Sequence, residues 1–289
     1  MNISTALSSA TEKLAEAGIA EPRRGASSLM TFILDKDAAF VIAHSEDELS
    51  ANQKILFESC VRRRAKHEPF QYITRRQEFY GLEFEVTPDV LTPRPETEIL
   101  VEEAIKLLSN LENPRFCEVG VGSGCISISI LANVASATAI GVDISPAALK
   151  VAQRNAQRHN VAEKLTLLES DVFSNVTGKF DLIASNPPYI PARDIDALQA
   201  EVRDHEPHSA LDGGEDGLAI IERIIRQAPD LLSASGVLLV EIGFDQSARV
   251  ATMFDRSIWN EPVFLPDLQG IPRIVKVGKI AADHAVGFV

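Results

Sequence analysis

The residues of this chain best suited to chemistry are Asn186, Pro187, Pro188 and Tyr189. They follow an apolar run at 180–185 that reads as a buried strand. Two consecutive prolines neither extend a sheet nor start a helix with ease, so the strand must stop there. Asn186 and Tyr189 then sit on a stiff turn just past its carboxyl end, where open α/β sheets bind their ligands. One amide and one aromatic ring on such a turn suit a flat, hydrogen-bonding guest such as an amide or an amino-heterocycle. The same four residues would also serve as a proline-rich loop with a capping Asn and a surface Tyr. The segments around them decide between the two.

Upstream, Glu118-Val119-Gly120-Val121-Gly122-Ser123-Gly124 closes one strand and opens a helix. Glycines here permit a tight turn and close approach of a nucleotide to the backbone. The spacing is G-x-G-x-G, with Cys125 where a dinucleotide fingerprint has its third glycine, and no G-x-x-x-x-G-K is present. A nicotinamide dehydrogenase and a phosphate cradle are both disfavoured. Asp143 ends the next strand, 19 residues after Gly124, where a carboxylate can accept from both ribose hydroxyls. Asp171 ends the third, placed to accept from an adenine amino group, with Val172 and Phe173 available to flank the ring. With Asn186, four successive strands end in a polar group on one edge of the sheet, which defines a nucleoside site.

The elements that must hold these residues are legible in outline. From Arg115 onward strand, loop and helix alternate. Strands are expected at 116–119, 137–142, 165–168, 181–184, 237–242, 263–265 and 274–277, with the clearest helices at 146–160 and 218–232. This predicts an α/β fold: a doubly wound, mostly parallel seven-stranded sheet. Helical periodicity at 2–17, 22–34, 38–43 and 50–66 predicts a small all-helical domain over 1–75. In its fourth helix Ile55, Leu56, Cys60 and Val61 form the expected apolar side. A β-hairpin around Gly81 and the proline-rich segment ending at Glu96 make a linker, 76–96, that holds Arg94 between two prolines beside the site. The third region is 97–289, and Thr97 or Glu96 begins its first helix.

Composition narrows the classes further. A hydrophobic content of 45% with 24% charged residues is the profile of a soluble globular chain. The net charge is −13. Residues 1–76 hold 11 basic and 10 acidic side chains, and the remainder 17 and 31, so the acidity lies in the larger part. Such a surface repels phosphate backbones at long range and argues against direct DNA binding. The basic cluster Arg62-Arg63-Arg64 with Lys66 reads first as a solvated helix end, and second as a docking patch for an acidic or RNA-containing partner. Cys60, Cys117 and Cys125 lack metal-pair spacing, and three scattered thiols fit a cytoplasmic protein. No signal peptide and no membrane span is expected, and no metal.

The series Glu118–Gly124, Asp143, Asp171 and Asn186–Tyr189 resembles class I S-adenosylmethionine-dependent methyltransferases, and the Asn-Pro-Pro-Tyr form looks like those that methylate an exocyclic amino or amide nitrogen. Six further segments resemble the peptide chain release factor N5-glutamine methyltransferase family. They are Glu78-Phe79-Tyr80-Gly81, Leu91-Thr92-Pro93-Arg94-Pro95-Glu96-Thr97-Glu98, Glu206-Pro207 with Ala210-Leu211, Gly213-Gly214 with Asp216-Gly217-Leu218, Glu241-Ile242-Gly243 with Gln246, and Asp267-Leu268 with Gly270 and Arg273. The resemblance covers residues 1–278. It departs at Glu118, where the class more often has Asp, at Arg75, where a Gly is expected, at Val172, where some members carry an aromatic, and at Pro272, a place usually acidic or polar. It implies methyl transfer from S-adenosylmethionine, leaving S-adenosylhomocysteine, to the glutamine amide of the Gly-Gly-Gln motif of release factors. In such an enzyme the cofactor contacts fall on Glu118, Gly120, Val121, Gly122, Ser123, Gly124, Asp143, Asp171, Val172 and Asn186. The catalytic contacts fall on Asn186, Pro187, Pro188 and Tyr189. The helical domain becomes the substrate-recognition domain of a monomer. The rival readings are a DNA adenine-N6 or RNA amino-methyltransferase, which would stack a flipped base on the Tyr, and a non-catalytic nucleotide-binding module.

Overall fold

A computed structural model describes residues 1–280; the last nine residues of the region assigned to 97–289 lie outside them. The chain forms two compact units. One is Met1–Arg76 together with Leu198–His205, and the other is Gln77–Ala197 with the chain from Glu206 onward. The first unit's main part runs to Arg76, and residues 198–205, which no feature of the sequence assigned to it, fold with it.

That first unit is helical. It contains α1 (Ile3–Glu16), α2 (Pro22–Leu34), α3 (Ala38–Ala43), α4 (Ala51–Arg64) and α5 (Phe70–Thr74). Ile3, Ala6, Ala10 and Leu14 recur at helical spacing and are buried. Pro22 opens α2, Asp37 caps α3, and Ser50 with Gln53 forms a capping box on α4. The inward face of α4 is Phe57, Cys60, Val61 and Arg64; Cys60 and Val61 lie on it as expected, and Ile55 and Leu56 do not. Ile55 and Leu56 are 61% and 55% exposed. The spacing 57, 60, 61, 64 satisfies the helical period, and 55 and 56 fall outside it.

The basic cluster is largely neutralised within its own unit. Arg63 donates from Nε to Glu68 at 2.8 Å, and buried Arg64 pairs with Glu201 on the short helix Ala200–Arg203. His205 meets the Lys66 carbonyl at 3.0 Å. These contacts explain why 198–205 belongs here, and they leave only Arg62 and Lys66 of the cluster exposed. Arg75 ends α5 with φ +58°, the left-handed region that glycine occupies without strain, which accounts for the glycine expected there.

The second unit opens with the hairpin β1 (Arg76–Phe79) and β2 (Leu82–Glu85). Its two-residue turn, Tyr80-Gly81, has positive φ at both positions, as the twist of a tight hairpin requires. The main sheet contains β3 (Arg115–Val119), β4 (Thr138–Asp143), β5 (Leu165–Glu169), β6 (Phe180–Ser185), β7 (Leu232–Glu241), β8 (Val263–Pro266) and β9 (Pro272–Gly278) in the order β5-β4-β3-β6-β7-β9-β8. The first five are parallel; β9 and β8 join antiparallel. All seven expected strands are present. β7 starts five residues earlier than expected, because the preceding helix stops at Gln227 and Pro229 follows in a tighter turn.

The apolar strands are buried on both faces. In β3, Phe116 packs into one layer and Cys117 and Val119 into the other; Leu182 and Ile183 of β6 divide in the same way. The helices α6 (Glu98–Leu108), α7 (Cys125–Asn133), α8 (Pro146–Arg158) and α9 (Ala219–Gln227) supply the outer layers. β4 lies on one side of β3 and β6 on the other, so the strand order reverses there. The glycine loop after β3 and the proline turn after β6 therefore flank one crevice, the place where such sheets bind ligands.

Candidate active site at the carboxyl edge of the sheet

A cavity of about 350 Å³ opens at this edge. The glycine loop forms one wall. Gly120 and Val121 donate their amides to the Val142 carbonyl at 2.8 and 2.9 Å, which ties the loop to β4. Gly120 and Gly122 have φ of +74° and +52°, backbone that a side chain would strain. Gly124 does not line the cavity. A Cβ there would come within 2.8 Å of Ile128, so this glycine serves close packing at the start of α7 and stands behind the loop.

Glu118 lies under the loop and is fully enclosed. Its Oε2 accepts from the Ser127 amide at 2.9 Å and from the Ser127 hydroxyl, while its Oε1 is buried with no partner. Burial raises the pKa of this carboxyl to about 8. Asp143 ends β4 as expected. Its two oxygens accept from the amides of Gly122 and Ser145, both at 2.9 Å, which fixes the carboxylate plane and leaves a lone pair on each oxygen for a guest.

Asp171 and Val172 line the cavity from the loop after β5. The Asp171 carboxylate is half exposed and accepts from Arg223 at 2.8 Å, an engagement that sequence reasoning had not foreseen. Its pKa is held down by that guanidinium. Val172 is buried with φ +54°, an outlier for a β-branched residue, and the Ser170 hydroxyl donates to its carbonyl at 3.0 Å. The loop is thereby held in one shape against the cavity.

Asn186 and Pro188 also line the cavity, beside the glycine loop; Pro187 is buried and Tyr189 half-buried, and neither lines it. Among the described residues neither the Asn186 Oδ1 nor the Pro187 carbonyl receives a hydrogen bond. The turn is braced from outside. The Gly213 amide donates to the Ile190 carbonyl at 2.9 Å, and Gln246 Nε2 donates to the Tyr189 carbonyl at 2.9 Å. Gly213 and Gly217 press so closely that a Cβ on either would fall 2.8 Å from the Pro188 oxygen or 2.4 Å from the Tyr189 oxygen. Tyr189 packs its ring into the core beneath the site.

The proline-rich segment does border the site, through Pro93, Arg94 and Thr97. Arg94 is held by the buried Glu206 at 2.6 Å. Thr97 does not cap its helix. It is buried, donates its hydroxyl to Glu241 at 2.7 Å and accepts from Asn186 Nδ2 at 3.1 Å. Sequence reasoning placed Glu241 only by resemblance and read Thr97 as a helix start. A polar residue closing the apolar strand β7 at the same edge was the available signal, since it repeats the pattern of the other strands.

A reversed strand order at β3, a glycine loop, an ordered carboxylate after β4 and an Asn-Pro-Pro-Tyr turn after β6 together define a class I methyltransferase. The same fold occurs in the hMettl16 catalytic domain solved in complex with the MAT2A 3′UTR hairpin 6, with a TM-score of 0.58 at 14% identity over 81% of this chain and 84% of that one. Residues 5–74 match the PrmC N-terminal domain and residues 97–204 the methyltransferase small domain. The chain is 41% identical to the release factor glutamine methyltransferase of Geobacter sulfurreducens over 91% of both chains. It is also 41% identical to that of Cereibacter sphaeroides, over 98% of this chain and all of the other. The chain belongs to the release factor glutamine methyltransferase family. Among the described residues no helix is long and apolar enough to cross a membrane.

Proposed function

We propose that this enzyme transfers the methyl group of S-adenosylmethionine to N5 of the glutamine in the Gly-Gly-Gln motif of peptide chain release factors. The observation that carries this reading is the state of Asn186. Its amide nitrogen is engaged by Thr97, and its side-chain oxygen is unpartnered among the described residues on a residue that lines the cavity; the carbonyl of Pro187, the next residue, is also unpartnered. Two fixed acceptors match the two N–H bonds of a primary amide.

The cavity suits the cofactor on its own chemistry. A buried carboxyl oxygen without a partner, Glu118 Oε1, fits a cationic ligand, whose charge would favour ionisation of the group. The free lone pairs of Asp143 fit a pair of ribose hydroxyls, and the walls at Val121, Ile144 and Val172 fit a flat ring. Gly120 to Ser123 would approach the ligand with backbone, and the loop at Asp171 would border its base. S-Adenosylmethionine supplies an electrophilic methyl sulfonium when bound.

An amide nitrogen is a poor nucleophile because its lone pair is delocalised into the carbonyl. Asn186 and Pro187 would hold both amide hydrogens, turn the nitrogen toward the methyl group, and stabilise positive charge as it builds there. Orientation of this kind contributes up to roughly 7–11 kcal/mol in favourable systems. Pro188 and the packed Tyr189 keep the turn rigid. The nitrogen becomes strongly acidic once methylated and cationic, so its proton passes to water without a dedicated base. His208 lines the cavity but has no part in this scheme.

Labelled methyl should pass from S-adenosylmethionine to a release factor and not to the same protein with its Gly-Gly-Gln glutamine changed to Ala. Equal labelling of both, or of neither, would overturn the assignment.

Glu118 makes a second expectation. In the ligand-free protein it keeps its proton up to about pH 8, against an ordinary 4.5. The folded state thus binds more protons than the unfolded one between these values, and ligand-free stability falls as pH rises through that window. A cationic ligand favours the carboxylate, so binding releases a proton. Affinity for S-adenosylmethionine should rise with pH toward about 8, by up to about tenfold per unit, and level off above. Glu118→Gln should flatten this slope in calorimetric titrations. A wild-type affinity that does not change between pH 6 and 8 would remove Glu118 from cation recognition.

A further inference from the structure

A side-chain amide at the site is useful only if its oxygen, and not its nitrogen, faces the substrate. Rotation of Asn186 by 180° about its last bond would present two donors to a guest that itself brings two donors. Something must set the direction.

We propose that Thr97 and Glu241 are positioning residues for methyl transfer: the buried Glu241 carboxylate takes the only hydroxyl proton of Thr97, which obliges Thr97 to face the Asn186 amide nitrogen and turns the Asn186 oxygen to the substrate. This rests on the acceptor role assigned to Asn186 above. A hydroxyl has one proton and two lone pairs. At 2.7 Å the proton of Thr97 lies between its oxygen and Glu241 Oε2. What remains on that oxygen can only accept, and at 3.1 Å it accepts from Asn186 Nδ2. Thr97 and Glu241 are each 2% exposed, so water does not compete for either bond. The elements fit the task. Thr97 is fixed at the junction of a 3-10 turn with α6, Glu241 by the β7–β9 ladder, and Asn186 by the end of β6. Three parts of the chain, distant in sequence, set one torsion.

The chain of bonds has a proton-dependent direction. A protonated Glu241 would become a donor, freeing the Thr97 hydroxyl to donate in turn and draw the Asn186 oxygen toward itself. Burial raises the Glu241 pKa to about 7. The ionisable groups around it are Glu96 and Arg94 of the proline-rich segment, Arg273 of β9, Tyr189 of the turn, and Cys125 at the start of α7. Glu96 opposes its ionisation, and the two arginines favour it. Turnover at saturating substrates should fall as pH drops below about 7.

The test measures kcat, KM and S-adenosylmethionine affinity for wild type, Thr97→Val, Thr97→Ser, Glu241→Gln and Asn186→Ala, with melting temperatures alongside. Thr97→Val should lower kcat by about 10- to 100-fold, the scale of a misoriented catalytic group, with cofactor affinity within about twofold. Thr97→Ser restores the hydroxyl and should recover most of the rate. Glu241→Gln cannot titrate, and its rate should lose the acid limb near pH 7. A folded Thr97→Val enzyme with the wild-type kcat, or a Ser variant as slow as the Val variant, would overturn the proposal. Persistence of the acid limb in Glu241→Gln would do the same, and this arm stands even where Thr97→Val does not fold. An Asn186→Ala enzyme as active as wild type would overturn the acceptor reading instead, so the two failures are distinguishable.

Discussion

Asn186→Ala is expected to lower kcat by about 10²- to 10³-fold, the loss seen when one preorganised hydrogen-bonding group is removed from a polar transition state. Positive charge develops on the substrate nitrogen as the methyl group arrives. In the proposed mechanism the Asn186 oxygen is held toward the substrate beforehand by the bond from its nitrogen to Thr97 and needs no reorganisation at that moment. Alanine removes it and leaves the Pro187 carbonyl as the single remaining acceptor. It also leaves Thr97 with an empty lone pair, a smaller penalty borne by the free enzyme as well. Cofactor affinity should fall much less, because Glu118, Asp143 and the glycine loop are untouched. Single-turnover kinetics at saturating cofactor separate the two effects. A variant within about tenfold of wild type would show that orientation comes from elsewhere.

Gly217→Ala should be nearly as damaging, though Gly217 does not line the cavity. Its φ is +79°, and an added Cβ would fall 2.4 Å from the Tyr189 carbonyl oxygen. The left-handed backbone costs a side chain about 1–2 kcal/mol and overpacking about 1–3 kcal/mol more. The overlapping atom is backbone, not the flexible end of a side chain, so relief requires moving the Asn-Pro-Pro-Tyr turn itself. Gln246 would lose its grip as well, since it donates to both the Tyr189 and Gly217 carbonyls. Reduced stability to denaturant, together with a kcat at least about tenfold lower in the folded fraction, is the expected pair of results. Gly81→Ala separates strain from overlap. Gly81 has φ +72° with nothing within 4 Å, so that variant should lose a little stability and no turnover.

The edge-of-sheet logic was readable because it is one-dimensional. A strand that ends in Asp143 or Asn186 announces both the end and its polar group, and parallel order places the ends together. The seven strands were visible for the same reason: residues such as Phe116 and Cys117 are apolar on both faces. What escaped was whatever depends on two distant segments at once. Thr97 reads locally as a helix start, yet its hydroxyl goes to Glu241, 144 residues away. Asp171 shows nothing in sequence of its bond to Arg223. On α4, Ile55 and Leu56 were as apolar as their neighbours, and only the phase of the helix decides that Phe57 faces in. The glycines at 213 and 217 marked a turn, but not which backbone would lie against them.

The chain leaves the catalytic unit after Ala197, completes the helical unit with residues 198–205, and returns at Glu206. The two family matches, at 5–74 and 97–204, suggest modules that a single cut near residue 76 would part. Such a cut would strand the short helix at Ala200–Arg203, and with it Glu201, whose partner Arg64 is buried in the other fragment. The modules are stitched and not strung. The helical unit could be exchanged between relatives only as two pieces of sequence at once, and substitutions at 64 and 201 should be inherited as a pair.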